Sequence, residues 1–491
     1  MTTCAAISRR SFLKTTAAGL AASSTWLTWA GRLRALPAVP PYLPSSKVRV
    51  VRVYLGRKQA NWPTKEVDIE AEVKRFEAEI AKLGPALSDV EFVDGGVISD
   101  VKELPRVREK LGAADGILAI HLTLHTGPAI KGLLDFNLPV VLFTLPYSGH
   151  EWHIVAGLQR EGKLIEVLPS SKYEDIAVAI RPFRAIHRLR EARVLHLSQK
   201  EANPDYVQAV KARFGTEIVS LFPDDLEKAY QAADLDEAEA DAKRWIREAK
   251  KVVEPSREEI LKSSRMYVAM KNLLAEHRAV TITMNCLGMG LIEKGMGYPC
   301  LGFVRLNKLG LGGVCEADLK STMTHLIFSY LVGRPGFVTD PVFDLSNHTI
   351  IHAHCVAATQ MEGPQSRPAP YIIRSHLEDN AGASLMVKMP VGRKLSMARL
   401  IGTDLMLFAT GDAVDSPMVE RGCRTKLTMR VENIEKMLHN WLCGLHRVVF
   451  YGDHARDLER FCRFKGIRLL REGVDDLQHV PGLEWETHIH A

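Results

Sequence analysis

From Val48 onward, short apolar runs alternate with stretches whose apolar residues recur at three- and four-residue steps. VRVVRVYL (48–55) predicts a strand, and KEVDIEAEVKRFEAEIAKL (65–83) predicts a helix. Strand VEFVD (90–94), a helix near 100–112, strand GILAIHL (116–122), a short helix at 127–135 and strand LPVVLFTL (138–145) follow. KLIEVLP (163–169) and a helix from Tyr173 to Glu191 complete a first half. The rhythm restarts at ARVLHLS (192–198), with a helix at 204–214, strand TEIVSLF (216–222) and a helix from Leu226. A charged helical segment, 235–276, is interrupted near Pro255 and gives way to strand AVTITMNC (279–286). This alternation predicts parallel sheets covered on both faces.

Beyond Val342 the texture changes. HTIIHAHC (348–355), SLMVKMP (384–390), LMLFATG (405–411) and TKLTMRV (425–431) are short apolar runs separated by Gly, Pro, Asp and Asn. They predict antiparallel strands of a barrel or sandwich. Strand RVVFYG (447–452), helix HARDLERFCRFK (454–465) and a strand at 467–470 close the pattern. The expected organisation is an α/β domain at 46–191, a second at 192–341 that carries acidic ligands, and a mainly antiparallel β domain at 342–491.

A length of 491 residues agrees with about three domains, and 46% apolar with 25% charged residues is ordinary for a globular chain. The net charge of +6 changes meaning once it is located. Arg9, Arg10, Lys14, Arg32 and Arg34 all lie in the first 38 residues, which contain no acid. Without them the balance is +1, so the body has no electrostatic footprint for nucleic acid. SRRSFLK followed by the weakly apolar run Thr15 to Ala30 resembles a twin-arginine export signal, which carries proteins that have folded in the cytoplasm. The run is too short for a spanning helix. The expectation is therefore a leader over 1–38 and a periplasmic or otherwise exported protein, cytoplasmic if the leader does not function. The eight cysteines, Cys4, Cys286, Cys300, Cys315, Cys355, Cys423, Cys443 and Cys462, are scattered without a CxxC pair and predict free thiols.

Candidate chemistry concentrates in two stretches. VCEADLKSTMTHLIFSYLVGRPGFVTD holds Glu316, Asp318 and Asp340, and WLCGLHRVVFYGDH holds His446. Two carboxylates and one imidazole can hold a divalent cation with coordination positions left open. Glu316 follows a glycine-rich loop, KLGLGG (308–313), and is expected to open a helix, where the dipole favours the ionised acid. An acid there is also an ordinary cap. Asp340 ends an apolar run before Pro341, a place where sites gather but where turn-forming Asp is common. His352 and His354 share one side of their strand. A histidine in apolar company, such as His446, is commonly a satisfied core residue.

In their order and spacing, these residues resemble the L-fucose isomerase family and, more distantly, L-arabinose isomerase, from Asn285 to about Ile467. The resemblance implies two Rossmann-like parallel-sheet domains followed by a mainly antiparallel β domain. It implies a Mn2+ site, or a site for another divalent cation, held by Glu316, Asp340 and His446, with Glu316 and Asp340 catalytic. Asp318 matches the family's Glu-x-Asp, and His354 is the nearest counterpart of a second histidine in the arabinose relatives. Both are further ligand or sugar-contact candidates. Leu445 stands where the fucose enzymes have an Asn that touches sugar, which leaves the sugar open. The implied reaction is aldose–ketose interconversion through an enediol, by a homo-oligomer, trimer or hexamer, with a small sugar as its partner and no membrane span after leader removal. Two other readings stand beside it: an exported sugar-binding protein without turnover, and a zinc hydrolase using Cys443, His446, His354 and Cys355.

Overall fold

The computed structural model describes residues 46–441, 443–480 and 483. The leader-like stretch 1–38 lies outside them. Five strands, β1 (Val48–Leu55), β2 (Val90–Ile98), β3 (Gly116–His121), β4 (Val140–Thr144) and β5 (Ile165–Pro169), form a parallel sheet in the order β2-β1-β3-β4-β5. Every residue of β3 and β4 is buried. Helices cover both faces, which is why these strands are apolar runs and not alternating ones.

The second parallel sheet contains β6 (Arg193–Leu197) and β7 (Glu217–Leu221). The short β8 (Lys251–Val252) pairs elsewhere, and β9 (Thr281–Met284) and β10 (Gly312–Cys315) return to this sheet, giving the order β10-β9-β6-β7. Strand β10 includes the last glycines of the stretch that the sequence presents as a loop. Its glycines answer to crowding: a Cβ on Gly312 would lie 2.3 Å from the Thr281 hydroxyl oxygen, and one on Gly313 only 2.6 Å from the Phe303 backbone. The helices Trp152–Arg160 and Cys300–Lys308 also lie outside the sequence expectation, the latter buried along nearly its whole length.

The third sheet runs from β11 (Phe337–Asp344) and β12 (Thr349–His354) to β15 (Lys394–Ile401), β16 (Leu405–Asp415), β17 (Thr425–Arg430) and β18 (Arg447–Tyr451), with β19 (Arg468–Arg471) at its end. Between them, β13 (Tyr371–Arg374) and β14 (Ser384–Val387) join β8 in a small separate sheet. Because β15 pairs with both β18 and β16, six antiparallel strands close into a barrel in the order β15-β18-β11-β12-β17-β16. Closure leaves none of the six as a free edge. The molecule is thus α/β with two parallel-sheet layers and a mainly antiparallel β layer.

The expected boundary at 341/342 falls inside β11, so Asp340 belongs to the barrel and not to the second parallel layer. Among the described residues no helix is long and apolar enough to cross a membrane.

Candidate metal centre

Four elements bring the site together. Glu316 follows β10 directly, and it and Ala317 both adopt left-handed backbone, with φ of 65° and 55°. Each such non-glycine residue costs about 1–2 kcal/mol. The expectation that Glu316 opens a helix is corrected here: it stands in a strained turn, and Asp318 caps the helix Leu319–Val332, accepting the Ser321 N–H at 3.0 Å. Asp340 lies within β11, not at its end, because Pro341 is tolerated in the antiparallel pairing with β12. Register does the rest. Thr339 pairs with Arg447, so Asp340 and His446 are adjacent one step further along; Asp340 pairs with Ala353, which places His354 beside it.

Glu316, Asp340, His354 and His446 offer ligand atoms that all lie within 4.8 Å of one another, so the cluster could hold a metal ion. The His446 Nε2 is 3.2 Å from Glu316 Oε2 and 3.2 Å from Asp340 Oδ1. The His354 Nε2 is 3.3 Å from Glu316 Oε1 and 3.9 Å from Asp340 Oδ2. Both Nε2 atoms are buried without a well-formed hydrogen bond. Buried polar atoms are rarely left so, and a shared cation would satisfy them. Carboxylate oxygens with imidazole nitrogens are a donor set that divalent cations accept.

Asp318, a further ligand candidate from sequence, is not in the cluster. It lies behind His446, whose Nδ1–H donates to Asp318 Oδ2 at 2.9 Å. The same oxygen accepts from Arg399 Nη1 at 2.8 Å and from the Ser321 hydroxyl at 2.7 Å. Sequence reasoning missed Arg399, a buried cation on β15 whose charge is invisible until Asp318 is seen to meet it. It also missed Cys423, with Sγ 3.7 Å from Asp340 Oδ2. His352 is not gathered; it is buried against the Thr339 hydroxyl at 2.9 Å, and burial pushes it down to about 3. Among the described residues no thiol joins the cluster, so the ligand set of the zinc hydrolase reading is not assembled.

The electrostatics balance internally. Burial raises the Glu316 carboxyl, but the close approach and charge of His354 and His446 outweigh it and hold the acid well below its ordinary range. Burial is likewise overcome for Asp318, held low by Arg399 and His446. Against burial, Asp318, Asp340 and Glu316 push His446 up to about 11, and Glu316 and Asp340 push His354 up to about 9. Imidazolium protons therefore supply the positive charge that a divalent cation would replace.

Glu316 also borders a cavity of about 980 Å³, with His196, Asn285, Lys320 and Asp404 among its lining. It opens beside the carboxyl ends of β6 and β9, the place where open α/β sheets receive ligands. A scan against protein-family models and a search of curated proteins found no match to the chain.

Proposed function

We propose that the protein is a metal-dependent aldose–ketose isomerase, working through an enediol, of the kind that L-fucose and L-arabinose isomerases represent. The observation that carries the reading is the convergence of two carboxylates and two imidazoles from four separate elements on one point. Glu316, Asp340 and His446 would hold the divalent cation. When bound, such a cation polarises neighbouring sugar oxygens and stabilises negative charge that develops on them.

The chain's own residues do the remainder. Glu316 comes from the turn after β10 and Asp340 from β11, so the two acids approach from different directions and can flank a planar intermediate. One carboxylate takes the proton from C2 and returns it to C1, while the other serves the hydroxyls. Asp318 and Arg399 keep His446 oriented, and the cavity beside Glu316 has room for the remaining carbons of a sugar. Export by the twin-arginine route and homo-oligomerisation belong to the same proposal, the first on residues 1–38 and the second on the family resemblance alone.

The test is a screen of pentoses, hexoses and deoxy sugars with the Mn2+-loaded protein, followed by Glu316→Gln. At least one aldose should equilibrate with its ketose, and the variant should lose about 10²- to 10⁴-fold in kcat, the scale of a positioned proton carrier. Metal-loaded protein that turns over no sugar counts against the isomerase reading, and undiminished turnover in the variant removes Glu316 from it.

A further inference from the structure

Strands β9 and β10 end side by side, and the chain delivers a cysteine from each to the same point. Cys315 is the last residue of β10 and pairs with Met284, the last of β9. Just beyond Met284 the chain bends: the Cys286 N–H donates to the Met284 carbonyl at 2.9 Å, and residues 286–295 form successive turns. The bend carries the Cys286 Sγ to 3.5 Å from the Cys315 Sγ. Both are free thiols, 3% and 5% exposed, in one apolar cluster with Met284, Met289 and Tyr298. The two sulfurs already touch, and a disulfide needs them about 1.5 Å closer.

The two sides of the pair differ in how far they can move. Strand β10 is pinned: Asn307 accepts the Gly313 N–H at 2.8 Å and donates to the Gly313 carbonyl at 2.9 Å. Cys286 instead belongs to the turns, between Asn285 and the exposed Leu287. The Asn285 side chain donates to Gln199 Oε1 at 3.1 Å and accepts the Gly288 N–H at 3.3 Å. The motion that closes the pair therefore falls on the turns. Asn285 and Glu316, the immediate neighbours of the two cysteines, both line the large cavity, as does Gln199. The sulfurs thus lie directly behind its wall. Thiols this covered exclude a bulky disulfide oxidant and favour a small one that enters from the cavity.

We propose that Cys286 and Cys315 are a reversible modification site, a peroxide-sensitive pair that closes to a disulfide and ties the turns at 286–295 to the end of β10. The Cys286 sulfur attacks one oxygen of hydrogen peroxide, the O–O bond breaks, and a sulfenic acid and water form. The Cys315 sulfur then attacks the sulfenic sulfur. The S–S bond forms, the S–O bond breaks, and a second water leaves with the thiol proton. In all, two thiols lose two electrons and one peroxide is reduced to two waters. A dithiol reductant reverses the step by exchange. The bond draws Asn285 away from Gln199 and so reshapes that wall of the cavity. The pair takes no part in the metal cluster or the proton transfer proposed above, and it stands or falls apart from them.

The experiment treats the reduced full chain, without added metal or sugar, with hydrogen peroxide. Remaining thiols are alkylated in denaturant, and the protein is digested without reductant for mass spectrometry. The expected product is a linked peptide pair holding Cys286 and Cys315, lighter by two hydrogen atoms and restored by dithiothreitol. Hydrogen exchange over residues 286–295 should slow by at least about tenfold in the oxidised chain. In Cys315→Ala, oxidation should stop at a sulfenic acid on Cys286 that dimedone traps, with no linked peptide and no slowing of exchange. Full alkylation of both cysteines after peroxide treatment of the native chain would overturn the proposal. So would a linkage of either cysteine to another partner, or a Cys286–Cys315 disulfide that leaves exchange in the turns unchanged.

Discussion

Asp318 decides which nitrogen of His446 faces the cluster, and the whole site turns on that choice. Its Oδ2 accepts from His446, Arg399 and Ser321 together, so it has no capacity left for a cation. In Asp318→Asn, the amide can offer an N–H to His446 Nδ1, and the hydrogen of His446 then moves to Nε2, where it blocks ligation. The expected result is a loss of about 10- to 100-fold in Mn2+ affinity, measured by calorimetry, with the fold retained by circular dichroism. Sequence alone offered Glu316, Asp340 and His446 through residue type, order and resemblance. It could not rank Asp318 or His354, since both are residues that ligate in one setting and support in another. What separates them is geometry: Asp318 stands behind His446 and is engaged by Arg399, 81 positions away, whereas His354 lies within the cluster itself.

Ala317 tests the next scale, that of the turn joining β10 to the helix Leu319–Val332. With Glu316 it forms two successive left-handed residues, a conformation that sequence would assign to Gly or Asn. Replacing Ala317 by glycine relieves about 1–2 kcal/mol of strain and gives back about 0.4–1 kcal/mol through the looser unfolded chain. Ala317→Gly is therefore expected to be stabilising by up to about 1.5 kcal/mol, read as a higher denaturation midpoint in urea with unchanged slope. A variant less stable than the native protein would mean that the turn is held by something other than the chain geometry described. Element prediction succeeded and failed for local physical reasons of the same kind. Strand β1 and the helix Pro204–Phe214 follow their patterns to the residue, the latter stopped by left-handed Gly215. Strand β10 was not legible because close approach selects glycine at Gly312 and Gly313, and the helix Cys300–Lys308 spans only nine residues, nearly all of them buried, so it offers little polar face to mark it.

The layers of the molecule are tied by contacts far apart in sequence. Arg181, on the helix Asp175–Glu191, bonds Asp457 of the helix Ala455–Lys465 at 2.7 Å, Arg463 pairs with Glu166, and Phe183 stacks on Phe464 with ring centroids 6.0 Å apart. Such docking is expected to make the first parallel layer and the barrel unfold together, and Glu151 provides a way to test it. Its carboxylate is buried, which raises its pKa, yet His121, Thr126 and the Gly127 N–H all bond it and hold it down to about 2. An acid depressed in the folded state contributes stability that is present above its unfolded value of about 4.5. That contribution is lost as pH falls from there through about 2. Between those limits the native protein should lose stability more steeply than Glu151→Gln, which lacks the titrating group and starts about 1–3 kcal/mol less stable. In a background where the other five of the chain's seven tryptophans are replaced by Phe, fluorescence from Trp62 and Trp152 reports the first layer, and far-ultraviolet circular dichroism reports the whole. If the layers are one cooperative unit, both probes give the same acid midpoint in each protein and shift together on substitution. A tryptophan transition that precedes the circular dichroism change would instead mean that the first layer opens alone, and that the Arg181–Asp457 and Phe183–Phe464 contacts are too weak to couple it to the barrel that holds Asp340 and His446.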